Sequence, residues 1–202
     1  MYIPEAFHIE DEELILEYIK EREFANLITS SGDKIENSHL PFYVEKVEGK
    51  TFLIAHLARA NRHWETINNG ISIISFLSND TYISHTAYDT KVSVPTWNYA
   101  ALTIHGKCNI LNEEETQKVI IKLLKIHESE QHNIDTSLIE ELSKLTVGIK
   151  FEVTKFECKF KFSQNRSQDD FLNMLKKLKN SDNNDDINTY NFIEKYKKYI
   201  QK

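Results

Sequence analysis

The sequence predicts an α+β protein whose antiparallel sheet closes into a barrel. About six or seven strand-like segments follow one another with few helices between them, and regular strand–helix alternation is missing. The last segment, 149–162, also changes phase, because its apolar residues occupy odd positions up to Val153 and even positions from Phe156 onward. Such a slip indicates a bulge or bend, which lets a small sheet close on itself.

The first half of the chain supplies a helix and three strands. Asp11 is a suitable N-cap for the helix. The strands are separated by the turn sequences Ser-Gly-Asp and Glu-Gly-Lys, and they are predicted at 24–30, 35–44 and 50–57. A polar segment with helical spacing follows, and it stops at Asn69 and Gly70, a natural helix C-cap.

The second half supplies the remaining strands and most of the helices. A short apolar strand at 71–77 leads into a long, turn-rich connection, and the next strand is predicted at 99–111. Asn112, with Glu115 three residues later, predicts a capped helix. The elements that complete the pattern are a short helix at 137–145, the closing strand and a helix around 170–179.

The predicted domain organisation is one continuous main domain and a tail. The main domain covers 1–179, and 180–202 form a polar linker and a short C-terminal helix. The net charge is −6, but 1–154 hold 14 basic and 24 acidic side chains, whereas 155–202 hold 11 and 7. An acidic body disfavours non-specific contact with nucleic acid, while the positive excess of the C-terminal segment 155–202 leaves direct DNA binding open.

Neither a membrane segment nor a disulfide scaffold is predicted. No apolar run approaches the roughly 20 residues that span a bilayer, and the N-terminus is acidic where a secretory signal is basic and then apolar. We therefore expect a cytoplasmic protein without membrane contact. Cys108 and Cys158 lie far apart and form no CxxC motif, so they are expected to be small buried strand residues.

Glycine-rich phosphate loops and the common hydrolase motifs are missing from the sequence, which leaves strand ends as candidate sites. In "HLARAN" (56–61), Arg59 stands where a strand ends and a short helix begins, with Asn61 as the plausible N-cap. Free backbone N–H groups and an arginine at such a point favour a bound phosphate. The alternative is that Arg59 forms a surface salt bridge.

Two further segments carry side chains suited to ligand contact. Pro95 precedes Trp97 and Asn98, and a rigidly held aromatic ring can stack on a planar ligand or plug a barrel end. Four hydrogen-bonding side chains follow the last strand: Ser163, Gln164, Asn165 and Arg166. They favour ligand contact, and the alternative is a helix-capping loop before Ser167.

The histidines do not form a recognisable metal site. His39, His56 and His105 lie on different predicted strands, and no pair has the spacing of a zinc site. Hydrogen-bonded strand histidines are the simpler interpretation, and we predict no metal ligands. Haem stays open, because one axial histidine is sufficient for it.

Six blocks resemble, in order, those of the PaiB family, which is described as FMN-binding negative transcriptional regulators. They are "MYIPEAF", "SHLPF", "HLARAN", "YIS", "VPTWNY" and "KFSQNR", and they cover residues 1 to about 170. Two longer segments, "LIAHLARANRHWETINNGISIISF" and "ALTIHGKCNILNEEET", resemble pyridoxamine-phosphate-oxidase-like split barrels. The resemblance implies a split β-barrel homodimer with FMN at the subunit interface.

The resemblance also implies three groups of cofactor-binding residues. Arg59 and Asn61 would bind the FMN phosphate. Ser38, His39 and Leu40 would lie along the flavin. The rest of the pocket would be completed, from the same or the partner chain, by Trp97, Asn98, Gln164, Asn165 and Arg166. His85 and Arg62 stand where the family usually has proline, which changes the rigidity of one loop and adds charge at the other.

The implied function is that of an FMN-binding transcriptional regulator or redox sensor. The alternatives are a flavin-dependent oxidoreductase that uses NAD(P)H, a haem-binding or haem-degrading split barrel, and a repressor that acts through the basic tail. No residue stands out as a general acid or base, and the nearest candidates are His39 and Tyr82.

Overall fold

The computed structural model describes residues 1–90, 93–128 and 136–201. The strands are β1 (His8–Ile9), β2 (Phe24–Ser31), β3 (Lys34–Pro41), β4 (Tyr43–Val47), β5 (Lys50–Ala58), β6 (Ile71–Ile83), β7 (Thr96–Ile110) and β8 (Thr146–Lys161). The α-helices are α1 (Glu12–Arg22), α2 (Trp64–Ile67), α3 (Glu113–His127), α4 (Thr136–Lys144), α5 (Gln168–Lys179), α6 (Asn184–Lys195) and α7 (Lys197–Ile200). No helix of the described residues is long and apolar enough to cross a membrane.

The strands form one sheet in the order β3-β2-β6-β7-β8-β5-β4, with β1 paired to β8. The registered pairs β2–β3, β2–β6, β4–β5, β5–β8 and β1–β8 are all antiparallel. The predicted α+β class with an antiparallel sheet is therefore confirmed.

The chain divides into two compact units. Unit 1 comprises Met1–Asp11, Leu77–Leu102 and Glu157–Lys202, and unit 2 comprises Glu12–Phe76 and Thr103–Phe156. Three of the boundaries fall within β6, β7 and β8, and the fourth directly precedes α1. The predicted boundary after residue 179 falls inside unit 1, and the separate tail domain stays a prediction.

Helix α3 packs on the sheet of unit 2. Ile54 of β5 contacts Val119 and Leu123 of α3 in a buried cluster. The helix begins with the predicted capping box, in which Asn112 Oδ1 accepts from Glu115 N at 2.9 Å. Glu115 Oε2 accepts in return from Asn112 N at 3.0 Å. These reciprocal bonds satisfy backbone donors that a helix start otherwise leaves unpaired.

Strand β7 approaches β8 closely at Gly106. A Cβ atom at this position would lie 2.1 Å from the carbonyl oxygen of Glu152, so only glycine fits without backbone movement. The predicted phase change in β8 is also confirmed. Thr154 and Lys155 are both exposed. The buried apolar side chains of β8 occupy odd positions before these two residues and even positions after them.

The core of unit 1 is aromatic and includes the C-terminal helices. Phe160 of β8 lies with its ring centroid 5.0 Å from that of Phe192 in α6, and Phe192 lies 4.7 Å from Tyr196. Phe192, Ile193 and Tyr196 are at most 4 % exposed. Residues 184–200 therefore form part of a packed core, because α6 and α7 bury their apolar side chains there.

Three element predictions were wrong. The strand predicted at 35–44 is interrupted at Phe42, whose N–H donates to Glu23 O at 2.8 Å instead of to a sheet neighbour. The turn-rich connection after residue 77 is strand as far as Ile83, and β7 already begins at Thr96. Sheet pairing outweighed the turn-forming residues there, and Asn79 adopts a φ of 53° within the strand.

The polar helix predicted to follow "HLARAN" is also shorter than expected. It is the single turn α2, and its N-cap residue is His63 rather than Asn61. The side chain of Asn61 bonds elsewhere in the turn, as described below, so the chain stays non-helical until Trp64.

Candidate functional site

A three-residue hydrogen-bond network links β3 to the turn after β5 in unit 2. Asn61 Nδ2 donates to Ser38 Oγ at 2.9 Å, and Ser38 Oγ lies 2.9 Å from His63 Nδ1. Asn61 Oδ1 accepts from the backbone N–H of His63 at 3.2 Å. We call these three residues the Ser38 network. It fixes two predicted site residues, Ser38 and Asn61, against each other.

The third member, His63, has an unsatisfied nitrogen. Its residue is 1 % exposed, and burial lowers the pKa of its imidazole, with the nearby Glu36 opposing the shift. The neutral ring is therefore favoured. Because Ser38 Oγ accepts from Asn61, it can donate its own proton to Nδ1, which places the ring proton on Nε2. Nε2 is buried and has no hydrogen-bond partner among the described residues.

Arg59 ties the same turn to the end of α4. Its backbone N–H donates to Leu145 O at 2.8 Å, while its guanidinium donates to Lys144 O at 2.8 Å and Thr146 O at 3.1 Å. Its partners among the described residues are thus carbonyl oxygens rather than the carboxylate of a salt bridge. Two of its five side-chain N–H donors are used in this way, and the residue is exposed.

The neighbours of Ser38 on β3 point in alternating directions. Ser38 and Leu40 are buried, whereas His39 is exposed and stacks on Phe24 with ring centroids 6.2 Å apart. Successive strand residues face opposite sides of a sheet. A ligand on one face would therefore reach Ser38 and Leu40 through their side chains, but not His39.

Unit 1 contains a second network, which is closed. Asn98 is fully buried, and its Oδ1 accepts from Ser163 Oγ at 3.0 Å while its Nδ2 lies 3.7 Å from Met174 Sδ. Ser163 Oγ also lies 2.8 Å from the hydroxyl of Tyr88. We call Tyr88, Asn98 and Ser163 the Asn98 network. Asn98 was predicted to line a ligand pocket, but its hydrogen bonds lie within the core.

Gln164 is likewise engaged with the backbone of its own strand end. Its Oε1 accepts from Phe162 N at 2.8 Å, and its Nε2 donates to Phe160 O at 2.6 Å. Among the other unit 1 candidates, Asn165 is exposed, and Arg166 lies with Cζ 4.8 Å from the ring centroid of Tyr88.

Trp97 is available at the surface of unit 1. It is 53 % exposed, and its ring lies edge-on to Tyr82 with centroids 6.0 Å apart. Tyr82 also lines a cleft of about 610 Å³ between the "YIS" segment and α5. Asp170 of α5 holds the loop that contains Asp89 and Thr90 in place. Its carboxylate accepts hydrogen bonds from Asp89 N at 2.7 Å and from Thr90 Oγ1 at 2.6 Å.

Within residues 1–90, 93–128 and 136–201, the other histidines and the cysteines assemble no metal centre. No three His, Cys, Asp or Glu side chains of the described residues lie close enough to hold a metal ion. His56 lines an apolar cavity of about 300 Å³ in unit 2, and its buried Nδ1 has no partner among the described residues. Burial raises the pKa of the Cys108 and Cys158 thiols to about 12.

A family model described as "Putative FMN-binding domain" matches residues 1–155. The chain belongs to this family. It is 30 % identical over 190 residues to "Protease synthase and sporulation protein PAI 2" of Bacillus subtilis, with 91 % of each chain covered. It is also 38 % identical over 84 residues to the uncharacterized protein YKL070W of Saccharomyces cerevisiae, which covers 39 % of this chain and 50 % of that one. The predicted family resemblance is confirmed.

Solved structures share the fold at low sequence identity. One is a putative 5-nitroimidazole antibiotic resistance protein from Bacteroides thetaiotaomicron, with a TM-score of 0.57, 13 % identity and coverage of 75 % of this chain and 85 % of that one. Another is the FAD and heme binding protein from Mycobacterium smegmatis, with a TM-score of 0.56, 10 % identity and coverage of 76 % and 73 %. The predicted split β-barrel fold is confirmed.

The match to the FMN-binding domain covers some of the candidate residues and not others. It includes the whole Ser38 network, Arg59 and Trp97, but it ends before Gln164, Asn165 and Arg166. Sequence reasoning missed His63, which lies two residues after "HLARAN". Its position in an apparently polar helix gave no sign of burial, and only the proximity of Ser38, 25 residues earlier, reveals its role.

Proposed function

We propose that the protein binds FMN and that the Ser38 network forms part of the binding site. The observation that carries this proposal is the buried, unpartnered Nε2 of His63 beside the exposed Asn61, within the segment that the FMN-binding domain family shares. A buried donor without a partner costs about 1–3 kcal/mol, and a ligand acceptor could offset this cost. Bound flavin would supply electron transfer.

The residues present fit a phosphorylated planar cofactor. Arg59 keeps N–H donors beyond those bound to carbonyl oxygens, and Asn61 is exposed beside it, so both can hold a phosphate. Ser38 and Leu40 would contact the cofactor by side chains, and His39 only through its backbone. Trp97 belongs to unit 1 and stays a separate prediction for cofactor contact, whereas the side chains of Asn98 and Gln164 are engaged within their own unit.

The first test is an absorption titration of the purified protein with FMN. We expect saturable binding with perturbed flavin bands, and a loss of about tenfold or more in affinity for Arg59→Gln and for Asn61→Ala. Arg62→Gln is the matched control, because Arg62 is a neighbouring arginine whose guanidinium pairs with Glu65 at 2.8 Å. Equal affinity in all four proteins would remove the phosphate assignment. Absence of any flavin response would end the proposal.

We also propose that the protein is a homodimer. Ser30 pairs with Ile35 on one side and with Ile71 on the other, so both isoleucines lie on the same sheet face, and they are 73 % and 80 % exposed. Phe24 on the same strand is 61 % exposed. Exposed apolar sheet faces favour association with another copy. Ile71→Glu should sediment as a monomer where the parent protein is dimeric, and an unchanged mass would exclude this face.

We also propose that the protein regulates gene expression. The Bacillus relative is named for protease synthesis and sporulation, and the positive excess of residues 155–202 offers a DNA contact. Truncation at residue 180 would remove the core side chain of Phe192, so the sharper test is Lys197→Gln with Lys198→Gln. We expect these changes to reduce salt-sensitive binding to DNA from upstream of the gene. Unchanged binding would exclude the tail.

Two alternatives are outcomes of the same titration. An oxidoreductase would bleach its bound flavin with NADH or NADPH, whereas a regulator that only binds flavin would leave it oxidised. Haem binding would give a haem band with haemin that His56→Gln removes, since His56 lines the apolar cavity of unit 2. The Mycobacterium relative of the same fold is named for FAD and haem, which justifies the haemin arm.

A further inference from the structure

Two lysines of unit 1 share one aromatic ring. Lys159 and Lys161 are two residues apart on β8 and therefore lie on the same face of the strand. Their Nζ atoms lie 5.1 and 5.7 Å from the ring centroid of Tyr99 on β7. Lys159 is only 7 % exposed, and Tyr2 lies on its other side with its ring centroid 5.9 Å from Nζ. Cations over aromatic faces are stabilised, but a shared ring also keeps the two charges close.

The hydrogen bonds of these lysines go to neutral oxygens. Lys159 Nζ donates to Tyr2 O at 3.4 Å, and Lys161 Nζ donates to Trp97 O at 2.7 Å and to Thr96 Oγ1. No carboxylate of the described residues lies within 4 Å of either Nζ. The acidic residue nearest in sequence on the strand, Glu157, is paired with the N-terminal amine.

A third cation reinforces the positive potential. Burial, Lys159 and Arg166 all lower the pKa of Lys161. Arg166 lies over the ring of Tyr88, and it is the charged residue of the "KFSQNR" segment. Positive charges that repel one another in a partly desolvated place are stabilised by an anion.

We propose that Lys159, Lys161 and Tyr99 form a binding site for a phosphate-type anion, with Trp97 beside it for a planar part of the ligand. Lys161 supplies the accessible charge, because it is half-buried, and the more deeply buried Lys159 sets the local potential. The anion is either a phosphate group of a second ligand or the phosphate of FMN, and in the latter case this site would replace Arg59 and Asn61 as the FMN phosphate site. This site does not require the Ser38 network, so it stands independently of the proposed function.

Thermal unfolding with inorganic phosphate and pyrophosphate tests the site directly, with chloride at equal ionic strength as the reference. We expect pyrophosphate to raise the unfolding temperature of the parent protein, and Lys161→Gln to weaken its apparent affinity about tenfold or more. Lys161→Arg should restore binding, and Lys107→Gln, which alters an exposed lysine of β7 in unit 2, should leave it unchanged. If pyrophosphate protects no better than chloride, and FMN does not show the phosphate dependence described next, the proposal is overturned.

Affinities for FMN and riboflavin distinguish the two sources of the anion. If the site holds the FMN phosphate, Lys161→Gln weakens FMN binding and leaves riboflavin binding unchanged. If it holds a second ligand, pyrophosphate protects while FMN affinity is unaltered, and this result stands even where FMN does not bind at all. If Lys161→Gln changes neither pyrophosphate nor FMN affinity, the site does not exist, whatever becomes of the Ser38 network.

NMR of the lysine side chains supplies a readout that folding defects in variants do not affect. In the parent protein, the pKa of Lys161 should rise when pyrophosphate or FMN is added, because a bound anion stabilises the charged ammonium group. The signal of Lys107 should not move. A Lys161 pKa that stays constant at saturating anion would contradict direct contact.

Discussion

The Ser38 network of unit 2 and the Asn98 network of unit 1 differ in how completely their hydrogen bonds are satisfied. Both consist of a hydroxyl, an asparagine and an aromatic side chain. In the Asn98 network the members are at most 6 % exposed and bond among themselves. In the Ser38 network, Asn61 is exposed and His63 Nε2 has no partner among the described residues.

The same sequence signal can therefore mark either a structural network or a ligand site. Asn61 and Asn98 both lie near the end of a strand within a family block, and both were predicted to bind the cofactor. A polar group whose partners are all internal has no capacity left for a ligand. A group that retains exposed or unpaired atoms does have that capacity, and for this reason the two regions respond differently to mutation.

The largest expected effect concerns the thiols, which report on each unit separately. Cys108 lies in unit 2 and Cys158 in unit 1, and burial raises the pKa of both to about 12 from an ordinary value of 9.0. We expect alkylation of the folded protein to be at least about a thousandfold slower than that of the unfolded chain, because only the thiolate reacts. Rapid labelling of either cysteine in the native state would show that its unit opens readily.

Asn98→Leu should strongly destabilise unit 1. The buried hydroxyl of Ser163 would lose its acceptor, which is expected to lower the free energy of unfolding by about 1–3 kcal/mol. Chemical denaturation of the variant and its parent measures the change. Asn61→Ala is the matched substitution in unit 2 and should cost less, about 0.5–1 kcal/mol, because water can replace the hydrogen bonds that the exposed Asn61 makes with Ser38 and His63. Equal losses would erase the distinction between the networks.

For ligand affinity the order should be reversed: substitution of Asn61 should have the larger effect and substitution of Asn98 the smaller one. Asn61→Ala should weaken FMN binding about tenfold, which corresponds to one hydrogen bond of about 1.4 kcal/mol. Asn98→Leu should leave the affinity of the folded fraction within about twofold at a temperature where it is fully folded. Fluorescence quenching of added FMN provides the measurement. A stronger effect at Asn98 would mean that the closed network contributes to the ligand site.

The smallest expected effect is a pH dependence carried by His63. Burial lowers the pKa of His63 in the folded state, so the unfolded chain binds the proton more tightly. The stability that this neutral ring contributes is present above about pH 6.5 and is lost as the pH falls below that value. His56 acts with the same sign.

Denaturation at pH 7.5 and 5.5 measures this dependence. His63→Asn should flatten the difference between the two pH values while preserving an oxygen near Ser38. His56→Asn serves as the second variant, because it removes the other titrating ring of unit 2. The carboxylate of Asp170 does not interfere, since hydrogen bonds from Thr90 lower its pKa and place its titration further into the acid range. An unchanged slope in His63→Asn would contradict the assignment.

Much of the fold could be predicted from local sequence. The predictions of the capping box of Asn112 and Glu115, of the phase change after Val153 and of an antiparallel sheet were all correct, because each depends on neighbouring residues, on periodicity or on the succession of strand segments. The extension of β6 to Ile83 was not predictable in this way. Its turn-forming residues are held in a strand by pairing within the sheet, which is a non-local effect.

The family, the strand and helix pattern and the set of candidate residues follow from the amino-acid sequence alone. Which of those residues remain open to a ligand depends on contacts that form only in the folded chain. Ser163 and Asn98 are 65 residues apart, and Ser38 and His63 are 25 apart, yet each pair shares a buried hydrogen bond. Burial and hydrogen-bond satisfaction depend on such distant partners, whereas periodicity and capping depend on adjacent ones.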